Sequence, residues 1–238
     1  IKSNEEGTLL DLITDLHSAD IGEILDELEI EEAKVLYKFL DASRASEVLT
    51  HMEERTREDF LESLSAKEIA ERFIDNLDSD DAADLLIELP QPLKEEVISL
   101  IEDKQQAQDI VDLLHFEEGT AGALMAKELI AVQANWTVST AVKEMRKQAE
   151  MINHVYTVYV IDDSEVLIGR LPIKKLLLTP LKSKIGDIYD SHIESVHVDT
   201  DQEEVATIME KYDLVALPVV DELGRLLGRI TIDDVVDV

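Results

Sequence analysis

The chain carries 54 Asp and Glu against 22 Lys and Arg over 238 residues, a formal net charge of −32, with 45% apolar residues and no cysteine. This composition argues against nucleic acid and against an anionic bilayer, since no basic surface is concentrated, and it rules out disulfides and thiolate metal sites. The apolar residues nevertheless recur with clear periods, so the chain reads as one to three ordered domains rather than an acidic tail, with divalent cations as the natural partners of so many carboxylates.

Residues 9 to about 115 are helical in period and repetitive. Apolar residues close successive short segments at Leu28, Leu40, Met52, Leu64, Leu77, Leu89, Ile101 and Leu114, always 12 or 13 apart. Turn signals fall between several of them, as at Asp41-Ala42-Ser43, Asp78-Ser79-Asp80 and Pro90-Gln91-Pro92. Helices of two or three turns are marginal alone and must stack to bury their apolar stripes. Regular repetition of this kind predicts a helical superhelix; an irregular helical bundle is the alternative. No apolar run approaches the roughly 18 residues of a spanning helix. Leu176-Leu177-Leu178, the longest local candidate, reads as the core of a strand or helix, and no signal peptide is visible.

Near Glu118-Gly119-Thr120-Ala121-Gly122 the period changes. Strands are expected at Ile130–Val132, Thr157–Ile161, Leu167–Leu171, Ser195–Val198, Ala216–Val220 and Leu226–Ile230, with helices at Thr137–Arg146 and Gln202–Tyr212 between them. The region is two copies of one strand–helix–strand–turn–strand–helix unit. Asp162 and Asp221, Gly169 and Gly228, and Leu176 and Val235 are each 59 apart, and Met145 matches Met209 after a short insertion in the first copy.

This tandem β-α-β-β-α unit resembles a pair of CBS domains (a Bateman module), most fully in Leu217-Pro218-Val219-Val220-Asp221, Gly224-Arg225-Leu226-Leu227-Gly228 and Ile230-Thr231-Ile232-Asp233-Asp234. The preceding array narrows the resemblance. His17-Ser18-Ala19-Asp20-Ile21, Asp80-Asp81-Ala82-Ala83-Asp84-Leu85-Leu86, Gly119-Thr120-Ala121-Gly122 with Met125, Asp201-Gln202-Glu203-Glu204-Val205-Ala206 and Lys211-Tyr212-Asp213-Leu214 together are similar to the cytosolic region of MgtE-type magnesium channels. The fold expected is α plus α/β: a right-handed-type superhelix of short helices over residues 1–126, a first CBS domain over 127–186 and a second over 187–238. The chain starts and stops inside an apolar pattern and reads as part of a longer protein, whose connecting helix and transmembrane pore would follow Val238.

The resemblance implies magnesium sites at or close to the interfaces of the helical domain and the CBS pair. Position by position it implicates Asp80 and Asp84 in the array, and Asp201, Glu203, Asp213, Asp234 and Asp237 in the second CBS unit. Mg²⁺ takes oxygen ligands and keeps several waters; Asp80 and Asp84 are i and i+4 on one helix face, and Asp234 and Asp237 are i and i+3. The bland reading is a solvated acidic face, with Asp80 as a helix N-cap. CBS pairs of this kind also bind adenine nucleotides such as ATP. Thr231 and Asp234 have the threonine-x-x-aspartate spacing that contacts a ribose, whereas Pro172 and Lys175 break it in the first copy; here the bland reading is that Thr231 and Asp233 cap the last helix. A homodimer through the CBS helices and a position on the cytoplasmic side of the membrane complete what the resemblance implies.

Two like charges about 5 Å apart cost roughly 3 kcal/mol at an effective dielectric of about 20. Facing acidic surfaces therefore repel, and a divalent cation between them reverses the sign. The expected function is a Mg²⁺ sensor that closes the pore at high Mg²⁺. An adenine-nucleotide sensor, an acidic-dyad hydrolase and a passive scaffold are the competitors; no nucleophile–His–acid set or glycine-rich phosphate loop supports an enzyme. His192 and His197 read as structural or exposed, Trp136 as core or an interface anchor, and Tyr156 and Tyr159 receive no role.

Overall fold

A computed structural model describes residues 12–236 apart from Met151 and Asn153. It divides into two compact units, up to Val111 and from Asp112.

The first unit is a run of short helices: α1 Ser18–Asp26, α2 Ile30–Tyr37, α3 Ala42–Thr50, α4 Glu54–Glu62, α5 Ala66–Arg72, α6 Ser79–Glu88, α7 Gln91–Leu100 and α8 Lys104–Leu113. Several begin at a capping side chain. Asp41 Oδ1 accepts the Arg44 N–H at 3.0 Å, and Ser65 and Glu68 form a reciprocal capping box. Asp78, not Asp80, takes the N-cap position of α6, so Asp80 sits inside the first turn. Helices two apart in the chain pack together, α1 on α3, α2 on α4, α3 on α5 and α5 on α7, which is the nearest-neighbour stacking of a solenoid. The periodic residues Leu40, Met52, Leu77, Leu89 and Ile101 are buried. Tyr37, Phe60 and Phe73 form an aromatic knot at its centre, Tyr37 and Phe60 edge to face at 5.2 Å.

A second device recurs. A long polar side chain reaches back about thirty residues to satisfy carbonyls at an earlier helix end. Arg44 donates to the carbonyls of Ile13 and Leu16, Arg72 to that of Leu40 at 2.7 Å, and the Gln106 amide to those of Ile74 and Leu77. Orphan C-terminal carbonyls otherwise cost their full desolvation, so these brackets fix the stacking register.

Asp75 is a strained member of this scheme. Its carboxyl accepts the Glu102 backbone N–H, and its Oδ1 is buried without a partner. Burial first, then the charges of Glu102, Glu71 and Asp103, push its pKa above the ordinary aspartate range. An acid with a raised folded pKa binds protons more readily folded than unfolded, so its effect on stability worsens as pH rises through that window. Asp75→Asn keeps an acceptor for Glu102 and removes the charge. It should raise Tm at pH 7 by on the order of 2 °C, and the gain should shrink as pH falls toward 4 in thermal melts.

The second unit holds α9 Ala121–Leu124, β1 Ile130–Gln133, α10 Val138–Ala149, β2 Val158–Ile161, β3 Leu167–Arg170, α11 Ile173–Leu178, β4 Val196–His197, α12 Gln202–Tyr212, β5 Ala216–Val220 and β6 Leu226–Thr231. Two three-stranded sheets follow the repeat. In each the first strand runs parallel to the second and the second antiparallel to the third. Both carry a register shift at the same place, after Val160 and after Val219. The strands and helices given bounds in the sequence are found, with ends moved by one to three residues, and α12 and β5 match residue for residue; within the described residues the helix expected to close the second copy is a 3-10 turn, Asp233–Val235.

Each copy's lead-in segment is bonded to the other copy. Ala121 and Gly122 donate to the carbonyls of Thr200 and Val198 at 2.7 and 2.8 Å, and Gln202 N–H donates to the Gly119 carbonyl at 2.9 Å. The counterparts 64 residues away repeat this pattern: Ile185 and Gly186 donate to Trp136 and Ala134, and Val138 N–H to the Ser183 carbonyl. The two CBS copies are thus tied by exchanged segments as well as by packing. In α11 only Leu176 is buried; Leu177 and Leu178 are each 77% exposed. A helix turns 100° per residue, so three consecutive leucines cannot share one face.

Candidate functional site

Of the carboxylates singled out in the sequence, Asp80 and Asp84 lie on α6, Asp80 buried and Asp84 exposed. Asp80 Oδ1 accepts the Asp81 N–H at 2.9 Å. On the second CBS copy Asp201 is the N-cap of α12, its Oδ1 accepting the Glu203 N–H at 2.9 Å. Glu203 is exposed in the first turn. Asp213 closes the same helix in the left-handed conformation, φ 52°, and is exposed. Asp201 and Asp213 therefore bracket opposite ends of one helix and do not converge. Asp234 is half-buried, and its Oδ2 accepts both the Thr231 N–H at 2.6 Å and the Thr231 hydroxyl at 2.9 Å. Burial pushes its carboxyl above the usual range in spite of these bonds. Asp237 lies outside the described residues. Among the described residues no three Asp, Glu or His side chains gather in a way that would hold a metal ion. The donor set is nonetheless all oxygen, which suits a hard cation that retains much of its water.

The cavity of the second unit is elsewhere. A space of about 540 Å³ opens between the two repeats, in the size range of small-molecule sites. Thr157 and Tyr159 of β2, Arg170 of β3, His192 of the lead-in to the second copy, and Tyr212 and Asp213 after α12 line it. Arg170 is fixed by its backbone, which exchanges two hydrogen bonds with Asp190 at 2.9 and 2.8 Å; its guanidinium lies 3.6 Å from the Asp190 carboxylate. Asp190 also accepts the His192 N–H at 3.1 Å, and that backbone bond is the first cause of its carboxyl lying below the ordinary range. Tyr159 is 1% exposed, and its hydroxyl is buried without a hydrogen-bond partner. Burial pushes that phenol well up, so it stays a neutral donor. Thr231 and Asp234 do not line this space. Of these lining residues the sequence reading takes His192 as structural or exposed, gives Tyr159 no role and passes over Arg170. The signal that could have found Arg170 is its recurrence, as the residue after the strand glycine, at the 59-residue offset in Arg229.

Helices of the array stacked at a 12–13 residue period, two exchanged β-α-β-β-α copies and a cleft between them define a helical-repeat domain joined to a tandem CBS module. A model of the MgtE intracellular N domain matches residues 16–119, and a CBS domain model matches 121–180 and again 185–238. The magnesium transporter MgtE of Thermus thermophilus is 32% identical over 240 residues, covering 100% of this chain and 53% of that protein. That of Bacillus subtilis is 28% identical over 238 residues, covering 95% and 52%. The chain spans about half the length of these relatives. A solved cytosolic domain of the Mg²⁺ channel MgtE in complex with ATP is similar at TM-score 0.87 and 32% identity, covering 99% of this chain and 97% of that one. The soluble part of a magnesium transporter is similar at TM-score 0.84 and 32% identity, covering 99% and 92%. The chain belongs to the MgtE magnesium-transporter family, as the region made of its N domain and tandem CBS domains. No described helix is long and apolar enough to cross a membrane.

Proposed function

We propose that this chain is the Mg²⁺-sensing regulatory region of a magnesium transporter, set on the cytoplasmic side of the membrane and controlling a pore that belongs to the same full-length protein. The observation that carries the reading is the net charge of −32 on a chain that forms two compact units, in a family of magnesium transporters. Asp80 and Asp84 of the array, with Asp201, Glu203, Asp213, Asp234 and Asp237 of the second CBS copy, are the carboxylates assigned to cation binding. At low Mg²⁺ these groups repel and hold the units apart. Mg²⁺ supplies the opposite charge, and closure follows because sites completed only in the closed state add their differential affinities. Each site is weak, as suits few protein ligands and many waters. The exposed Leu177, Leu178 and Leu181 support a homodimer through CBS helices, since adjacent exposed leucines mark a contact surface. The role is regulatory rather than enzymatic.

The test is thermal unfolding in MgCl₂ against NaCl of equal ionic strength. Stabilisation beyond the salt control, reduced by Asp84→Asn with Glu203→Gln, is the expected result; identical curves in the two salts would overturn the reading.

The cavity favours a second ligand. Its Arg170 cation and Tyr212 ring suit the phosphate and the base of an adenine nucleotide. ATP there would add an energy-state input to the Mg²⁺ response.

A further inference from the structure

The acidic face of α6 has a positive charge beside it that comes from another helix. Ser79–Glu88 carries four acidic residues and no basic one, and Asp80, Asp84 and Glu88 follow each other at four-residue intervals, so they share one side of the helix. Asp84 is exposed. Glu88, in the last turn, is held by Arg57 of α4. The Arg57 Nε donates to Glu88 Oε2 at 2.9 Å, its Nη2 donates to the other carboxylate oxygen, and its Nη1 donates to the Met52 carbonyl at 3.3 Å. The two side chains are only 18% and 12% exposed, so salt screens this charge less than it screens an exposed one. Besides Glu88, the charges that act on the guanidinium are those of Glu54, one turn earlier on α4, and of Asp84.

A guanidinium is not deprotonated in a protein. Arg57 is therefore a fixed positive charge on the flank of Asp84, and it affects a divalent ion at that carboxylate in two ways. It repels the ion directly, and it holds Glu88, the carboxylate about 6 Å further along the same side of the helix. Both effects lower the affinity. The charge of Arg57 and its two-pronged geometry are separable: lysine keeps the charge and loses the fork, whereas glutamine loses the charge. Neutralising Glu88 instead leaves the guanidinium charge uncompensated.

We propose that Arg57 sets the Mg²⁺ threshold of this chain: its charge, fixed by Glu88 beside Asp84, weakens the cation site at Asp84, which then fills at a higher Mg²⁺ concentration than the carboxylates alone would give. This rests on the assignment of Asp84 to cation binding. The test is a titration of the whole ¹⁵N-labelled chain with MgCl₂ at constant ionic strength, following the amide signals of residues 80–88 and reading the midpoint concentration. The midpoint should fall about fivefold in Arg57→Gln, rise about twofold in Glu88→Gln and stay close to the parent value in Arg57→Lys. All three substitutions weaken the tie between α4 and α6, so a purely structural pair would move the three midpoints in one direction. Should Arg57→Gln fail to fold, the rise in Glu88→Gln decides. Unchanged midpoints in the folded Arg57→Gln and Glu88→Gln variants, or shifts of the same sign, would overturn the inference and leave Asp84 as a cation ligand. No response of these amides in the parent beyond that to NaCl would defeat the cation reading of Asp84, and the inference with it.

Discussion

Gly169→Ala should lower the stability of the second unit by about 3 kcal/mol, at the upper end of what overpacking costs. A Cβ on Gly169 would stand 2.2 Å from the Asp190 carbonyl oxygen and 2.7 Å from the Tyr189 ring. The first contact is with backbone, so no side-chain rotation relieves it. Either β3 must leave Val160, its partner across the sheet, or the Arg170–Asp190 pair must open. Both routes dismantle the wall of the open cavity, so nucleotide binding should fall with stability. In a chain of this size the loss corresponds to a Tm decrease of roughly 6–12 °C, read by differential scanning calorimetry. The equivalent Gly228→Ala should cost less, because one of its two closest contacts, at 2.7 Å, is the flexible Met125 sulfur. Equal and small effects at both glycines would show that the lead-ins are not rigidly held.

Arg57→Ala carries the second large effect, in the first unit. Arg57 forms a two-pronged pair with Glu88, the side chains only 18% and 12% exposed, and also donates to the Thr50 and Met52 carbonyls at the end of α3. Its pKa is raised first by the Glu88 hydrogen bond, with Glu54 and Asp84 adding to it. Removing it strands a partly buried carboxylate and two carbonyls, and gathers three acidic groups without their cation. A cost of about 3 kcal/mol is expected. Arg57→Lys should recover little, since a point charge cannot span both oxygens and the carbonyls. Added NaCl should restore part of the stability of Arg57→Ala by screening Glu54, Asp84 and Glu88. Urea melts at two salt concentrations check both statements.

The parts of the fold that depend on period were legible in the sequence. The 12–13 spacing of apolar residues names the buried ends of the stacked helices, and the 59-residue offset names both sheets. Leu177 and Leu178 were misjudged because an apolar run says nothing about which helix face meets the core. Asp80 lost the N-cap position to Asp78, one plausible cap displacing another two residues away. The cavity was illegible for a different reason. Thr157, Arg170, His192 and Tyr212 are brought together by exchange of the lead-in segments, a pairing no local pattern records. Arg170 and Arg229 look alike in the chain, yet Arg229 is buried against the Tyr156 ring and the Glu128 carbonyl while Arg170 stands half exposed at the cavity. For the acidic set, spacing puts Asp80 and Asp84 on one helix, but the convergence that a cation needs is a property of several elements at once.

The most direct test of Mg²⁺ sensing is limited proteolysis of the segment around residues 112–118, which joins the array to the CBS pair, titrated with MgCl₂ against a monovalent salt of equal ionic strength. Asp84→Asn, Glu203→Gln and Asp213→Asn serve as neutralised variants because all three side chains are exposed, and asparagine tolerates the left-handed backbone at position 213. Protection that saturates with Mg²⁺ and is lost in the neutralised chain is the predicted result. Equal protection by the monovalent salt would mean that screening alone governs this acidic chain, and the sensor account would be wrong.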